Sequence, residues 1–237
     1  MEKFLLKLIE KKEEEKGVWS YYLEKPETFT WEEGSHMHIA LKGYDADDVP
    51  NKEWVRHMSI MTLPEEGQVG FTTRVDTPLS DFKEKLQAVQ SGDELVVFKI
   101  GSRMALRRTE KPIILLSMGV GLATFRPLIY NFLKDQTAIP KLVALNVNAT
   151  GDGPYKTALS QLHHAALTQI WTRTRVDYYH QLHTLVDTHK DAWYYIVGSA
   201  PFISDAIAVL RAKGIADAAM VIDKKPDLRI GYFGLEG

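Results

Sequence analysis

Arg56-His57-Met58-Ser59 and Gly119-Val120-Gly121-Leu122-Ala123-Thr124 are the stretches whose residue types, at their spacing, could do chemistry. An arginine on a strand is either a solvated surface charge or a bidentate clamp for a phosphate. Ser59, three residues on, adds a hydroxyl beside it. Glycines between an apolar strand and a helix let a ligand approach the backbone, and the helix N-terminus offers N–H groups to a phosphate. The same glycines would serve a plain strand-to-helix turn, and Thr124 stands where a full dinucleotide fingerprint has its third glycine. Val197-Gly198-Ser199-Ala200 forms a second such turn after an apolar run. Leu79-Ser80-Asp81 opens a short helical pattern, either as an ordinary cap or, with Arg56, as a second anchor for a diphosphate. Thr172-Arg173-Thr174-Arg175, with Tyr178 nearby, gathers two guanidiniums and two hydroxyls. At a strand end these are either a basic loop or a grip for a ribose 2′-phosphate.

Two kinds of element must position these residues. Up to about Arg108, short apolar runs at 3–10, 17–24, 35–42, 54–62, 67–75 and 94–100 are broken by glycine and proline, which predicts an antiparallel barrel or sandwich. The Glu/Lys content of 2–16 makes that segment equally readable as helix. A helix is expected from Asp81 to Val89, with Phe82, Leu86 and Val89 on one face. After Pro112 the pattern becomes strand–helix alternation: strands at 113–117, 142–147, 168–173, 193–198 and 218–223, helices near 125–134, 155–166, 178–189 and 201–213. Pro127 is expected in the first turn of the first of these helices. This alternation implies a doubly wound parallel sheet. Two domains follow, 1–108 and 109–237.

Composition removes several classes. Of the charged residues, 29 are basic and 31 acidic, so there is no basic excess to mark a nucleic-acid partner. With no cysteine, disulfides, thiolate nucleophiles and Cys-held clusters are impossible, which suits a reducing compartment such as the cytoplasm. The apolar run near the N-terminus is too short and too charged for a membrane span or signal peptide. The eight histidines show no metal-ligand spacing.

Together these features resemble the ferredoxin–NADP reductase superfamily, in which a flavin-binding barrel precedes a pyridine-nucleotide domain; the bacterial ferredoxin/flavodoxin–NADP reductases are the nearest in kind. Gly34-Ser35-His36 resembles the segment opening the barrel. Arg56-His57-Met58-Ser59 resembles the Arg-x-Tyr-Ser motif, which implies that Arg56 meets the FAD diphosphate and that Ser59, the implied catalytic residue, approaches the reactive edge of the flavin. Thr72, Thr73 and Arg74 match the next strand of the FAD site, and Leu79, Ser80 and Asp81 the segment completing its diphosphate cradle. Gly119, Val120, Gly121, Ala123 and Thr124 resemble the turn beneath the nicotinamide, and Thr172-Arg173 the pair that binds the 2′-phosphate in NADP-using members, with Arg175 and Tyr178 beside it. Gly198, Ser199 and Ala200 fall on the second nucleotide turn. Tyr232 and Phe233 match a terminal aromatic segment that lies against the flavin. The sequence departs from the family at Met58 (for Tyr), Thr124 (for Pro) and Val197 (for Cys). The resemblance implies FAD and NADP(H) as cofactors and electron transfer to an external acceptor, first a ferredoxin or flavodoxin. Free flavin, a quinone or a haem partner are its alternatives, as is a non-catalytic nucleotide-binding subunit that kept the fold.

Overall fold

The computed structural model describes residues 2–76, 78–151 and 153–234. The chain divides into two compact units, Met1–Ser102 and Arg103–Gly237. The first contains six antiparallel strands: β1 (Lys3–Glu15), β2 (Val18–Glu24), β3 (Ser35–Leu41), β4 (Val55–Ser59), β5 (Gln68–Arg74) and β6 (Glu94–Ser102), in the order β4-β3-β6-β1-β2-β5. Beyond β4 the chain keeps bonding: Ile60 N–H donates to Ser35 O at 2.8 Å and Met61 N–H to Gly70 O at 2.8 Å. The second of these bonds draws the β4 and β5 edges together and curls the sheet into a half-barrel. Helix α1 (Asp81–Ala88) places Phe82 and Leu86 in the core with Leu6, Leu8, Tyr21, Met37, Ile39, Phe71 and Val97.

Within the segment 2–16, readable as helix from its composition, Lys3–Glu15 is strand. Leu6 and Leu8 are buried while Leu5 is exposed and Lys7 faces out. That period of two wins because one flank of the segment pairs with β6 and the other with β2. Tertiary pairing overrides intrinsic propensity here.

The second unit is a five-stranded parallel sheet of β7 (Ile113–Met118), β8 (Leu142–Val147), β9 (Leu167–Thr172), β10 (Trp193–Val197) and β11 (Met220–Ile222), ordered β11-β10-β7-β8-β9. Helices α2 (Leu122–Lys134), α3 (Lys156–Ser160), α4 (Arg175–Thr188), α5 (Ala200–Ala212) and α6 (Pro226–Phe233) connect or follow the strands. Buried residues of α4 and α5, among them Tyr178, Leu182, Phe202 and Ile203, pack with Ile114, Leu116, Val143, Leu145 and Ile196 on one face. Side chains alternate along a strand, so Ser117 and Asn146 point to the other face, where α2 lies against β7 and β8. The chain runs outward from β7 through β8 to β9, then returns to β10 on the opposite side of β7. The topological switch point therefore lies between β7 and β10.

The segment leading into β7 is tied to this unit. Tyr195 Oη donates to Ala105 O at 2.7 Å and accepts from Arg107 N–H at 2.9 Å. The Arg107 guanidinium sits 4.1 Å from the Trp193 ring centroid.

Four helices differ from expectation, α6 because no helix was expected over Pro226–Phe233. α2 begins at Leu122, directly after a 3-10 turn over Gly119–Gly121, so Pro127 lies in its second turn, where it leaves one ladder bond unmade. α3 stops at Ser160 instead of continuing to 166, and His164 Nδ1 accepts from Ala166 N–H at 3.1 Å as the chain turns into β9. α4 starts at Arg175 because Thr174 caps it, its hydroxyl accepting from Asp177 N–H at 3.1 Å.

Candidate functional site

In the first unit, strand β4 carries Arg56 to the N-terminus of α1. Its Nη1 donates to the carbonyls of Glu53 at 2.7 Å and Val55 at 2.8 Å, Nη2 lies 3.5 Å from Ser80 Oγ, and the guanidinium stands 4.9 Å from the Phe82 ring centroid. Ser80 is the helix cap and accepts from Lys83 N–H at 3.4 Å. The first N–H groups of a helix have no partner within it, so Arg56, Ser80 and that helix end bring hydrogen-bond donors together at one corner. Asp81 shares this corner, its carboxylate held by Trp54 Nε1 at 2.5 Å and by Lys85 at 3.3 Å.

Strand β5 presents less. Thr72 and Thr73 are buried, and the Thr72 hydroxyl is 2.6 Å from that of Ser20. Arg74 pairs with Glu15 and Asp76, each at 3.4 Å. Leu79 is partly buried. Met58 faces the barrel core, whereas His57 and Ser59 alternate to the outer face. Ser59 pairs there with His36, and His57 with His38. Ring centroids are 4.3 Å apart for His36–His57 and 5.6 Å for His38–His57. Sequence reasoning did not gather these histidines, because nothing local pairs β3 with β4. Among the described residues, no group of three or more His, Asp or Glu is arranged to hold a metal ion.

In the second unit, both glycine turns lie at the carboxyl ends of β7 and β10, and they touch. A Cβ on Gly121 would fall 2.6 Å from the Val197 carbonyl oxygen. The φ of Gly121 is −56°, which suits any residue, so contact and not conformation requires glycine here. Ser199 caps α5, accepting from Phe202 N–H at 3.4 Å, with Ala200 exposed at its first position. Ala123 and Thr124 are buried, and Gly119 and Val120 are partly exposed on the turn. This is the crevice in which open α/β sheets place nucleotides.

At the end of β9 the Thr172 hydroxyl donates to Asn146 O at 3.0 Å, while Arg173 and Arg175 are exposed. Arg175 approaches Asp205 at 3.9 Å and the Met118 sulfur at 3.8 Å. Tyr178 is not where a nucleotide could touch it. It is fully buried beneath α4, and burial holds its phenol protonated far above the usual tyrosine range. Its hydroxyl has no partner among the described residues. Tyr178→Phe should therefore keep or raise stability, by up to about 1 kcal/mol, and leave NADPH affinity unchanged; thermal melts and a KM measurement would check both. Tyr232 and Phe233 end α6 and pack on this unit's core, with Arg229 5.5 Å from the Phe233 ring centroid.

Asn146 and Asn148 went unnoticed in the sequence. Asn146 is buried, donates from Nδ2 to Ser117 Oγ at 2.9 Å, and its Oδ1 has no partner among the described residues. The signal was present: two asparagines alternate at the end of an otherwise apolar strand.

The half-barrel followed by this doubly wound sheet is the two-domain fold of the ferredoxin–NADP reductases. A ferredoxin–NADP⁺ reductase from Neisseria gonorrhoeae, with bound FAD and NADP, is similar over 93% of this chain and 98% of its own, with a TM-score of 0.76 and 11% identity. A flavohemoglobin from Malassezia yamatoensis, with bound FAD and haem, is similar over 93% of this chain at a TM-score of 0.75 and 15% identity; the chain spans 59% of its length. Phthalate dioxygenase reductase matches over 93% of this chain and 67% of its own, with a TM-score of 0.75 and 13% identity. No protein-family model matches the chain, and no curated protein matches it by sequence.

Proposed function

We propose that this chain is a flavin-dependent NADPH oxidoreductase that passes electrons to a separate acceptor. The observation that carries this reading is the meeting of Arg56 with Ser80 at the start of α1, a corner suited to a diphosphate. A bound flavin would supply the redox chemistry, taking a hydride at N5 and releasing its two electrons singly. The chain's residues bind and orient. Arg56, Ser80 and the α1 N-terminus hold the FAD diphosphate, and Thr72 to Arg74 and Leu79 flank it. Ser59 offers its hydroxyl to the N5 edge. Met58, where a tyrosine would stand in the motif, faces the barrel core and gives the ring no phenol to bond. Gly119 to Thr124 and Gly198 to Ala200 seat the nicotinamide, the Gly121–Val197 contact fixing the two turns against each other. Thr172 and Arg173 take the 2′-phosphate.

Without cysteine the chain cannot hold a Cys-ligated iron–sulfur cluster, so the electrons leave for an outside acceptor, a ferredoxin or flavodoxin in this reading. Among the described residues no helix is long and apolar enough to cross a membrane.

The test is the visible spectrum of the purified, desalted protein, then anaerobic NADPH. A flavin band that bleaches supports the proposal. A flavin band that stays oxidised favours a non-catalytic nucleotide-binding protein, and failure to take up added FAD overturns the flavin site. Arg173→Ala should raise the KM for NADPH about tenfold or more, the worth of a charge-assisted bond, and leave that for NADH unchanged. Arg175→Ala should do less, because Arg175 already faces Asp205. Equal changes for both nucleotides would remove the 2′-phosphate assignment.

A further inference from the structure

Arg173 is exposed, yet among the described residues it has no hydrogen-bond or ion-pair partner. An exposed arginine of that kind would ordinarily wander among its rotamers. Here its side chain lies across Gly151: a Cβ at position 151 would fall 2.3 Å from Arg173 Nε, 2.9 Å from Cζ and 3.1 Å from Cδ. Gly151 is buried and has φ +78°, a conformation that side chains other than Asn and Asp rarely adopt.

The turn beneath the arginine is fastened on several sides. Gly151 N–H donates to Asn148 O at 3.0 Å. Asn148 Oδ1 accepts from the Thr150 N–H at 3.0 Å and the Thr150 hydroxyl at 2.7 Å. The Gly151 carbonyl accepts from Lys156 Nζ. Asn148 N–H donates to Thr172 O at 3.0 Å, and the Thr172 hydroxyl returns a bond to Asn146 O. The turn is therefore anchored to the same strand end that carries Arg173.

We propose that Gly151 is a positioning residue, and that the turn 148–151 is a seat holding the Arg173 guanidinium ready for a phosphomonoester. The proposal rests on the reading of Arg173 as the 2′-phosphate ligand and adds what orients it. Its physical content is preorganisation: a side chain already confined to one path loses less freedom on binding, and a planar fork in a fixed direction meets a phosphate bidentately.

The experiment is calorimetric binding of adenosine 2′,5′-bisphosphate and of 5′-AMP to the full chain. The proteins compared are the native one, Gly151→Ala, Gly151→Asn, Arg173→Ala and the double variant Gly151→Ala with Arg173→Ala. Asparagine keeps the left-handed turn while still pressing a Cβ on Arg173, so it separates loss of the seat from loss of the turn. Each Gly151 variant should bind the bisphosphate about tenfold more weakly with 5′-AMP unchanged, and the double variant should be no weaker than Arg173→Ala alone, as for residues acting as one unit. Full bisphosphate affinity in the Gly151 variants, additive losses, or equal losses for both ligands overturn the seat. If Arg173→Ala leaves the preference for the bisphosphate intact, the 2′-phosphate reading falls, and the seat falls with it.

Discussion

Replacing Arg56 by alanine should release the flavin. The guanidinium is the positive charge that reaches Ser80 at the start of α1, and it is already oriented by the Glu53 and Val55 carbonyls and the Phe82 ring. A charge-assisted bond of this kind is worth about 1.5–3 kcal/mol, so FAD should bind roughly 10- to 100-fold more weakly. After desalting, the variant should lose its visible absorbance. Thermal stability of the flavin-free protein should change little, since the bonds lost are partly exposed ones to backbone carbonyls. Ser80→Gly should be milder, because glycine is itself tolerated as a helix cap at a cost of a few tenths of a kcal/mol. An Arg56→Ala protein that holds FAD as tightly as the native chain would move the diphosphate elsewhere.

Gly121→Ala should have the largest effect on nicotinamide chemistry. The added methyl would meet the Val197 carbonyl oxygen at 2.6 Å, its carbon at 3.0 Å and Cγ1 at 3.2 Å. Backbone on one side and a buried strand end on the other leave nowhere to yield, so the two turns must separate. Overpacking of this sort costs roughly 1–3 kcal/mol, which lowers the melting temperature by several degrees. A seat displaced by about 1 Å can slow a transfer on the order of 100-fold. Stopped-flow bleaching by NADPH should therefore slow by about two orders of magnitude, while FAD affinity stays native. Native bleaching rates would show that the contact between the turns has no part in placing the nicotinamide.

Much of the fold was legible because each half of the chain keeps one period. Short alternating runs with glycine and proline breaks gave the half-barrel, and strand–helix alternation after Pro112 gave the parallel sheet. Arg56 and Ser80 could be paired in advance through the family resemblance. What stayed hidden depends on contacts between segments. Tyr178 shares the 178–182–185 spacing with Leu182 and Leu185, but its burial becomes plain once Thr174 is seen to cap the helix. The shortness of α3 has no familiar breaker behind it, since neither glycine nor proline follows Ser160 before β9. Gly151 has meaning once Arg173 is laid across it, and nothing in the twenty-odd residues between them announces that.

The two-sided pairing of β1 has a kinetic consequence. Its first residues, Lys3 to Lys7, pair with Phe98 to Glu94, whereas the stretch from Leu8 onward pairs with the adjacent β2. The β1–β2 hairpin is local and can form as soon as both strands exist. One of the two seams that join it to β3 and β4 runs through β6, the last strand of the unit, the other being the Met61–Gly70 bond. Closing a loop of that length precedes any reward from the contacts it brings. During synthesis the half-barrel thus waits, its apolar interior open, until β6 has cleared the ribosome.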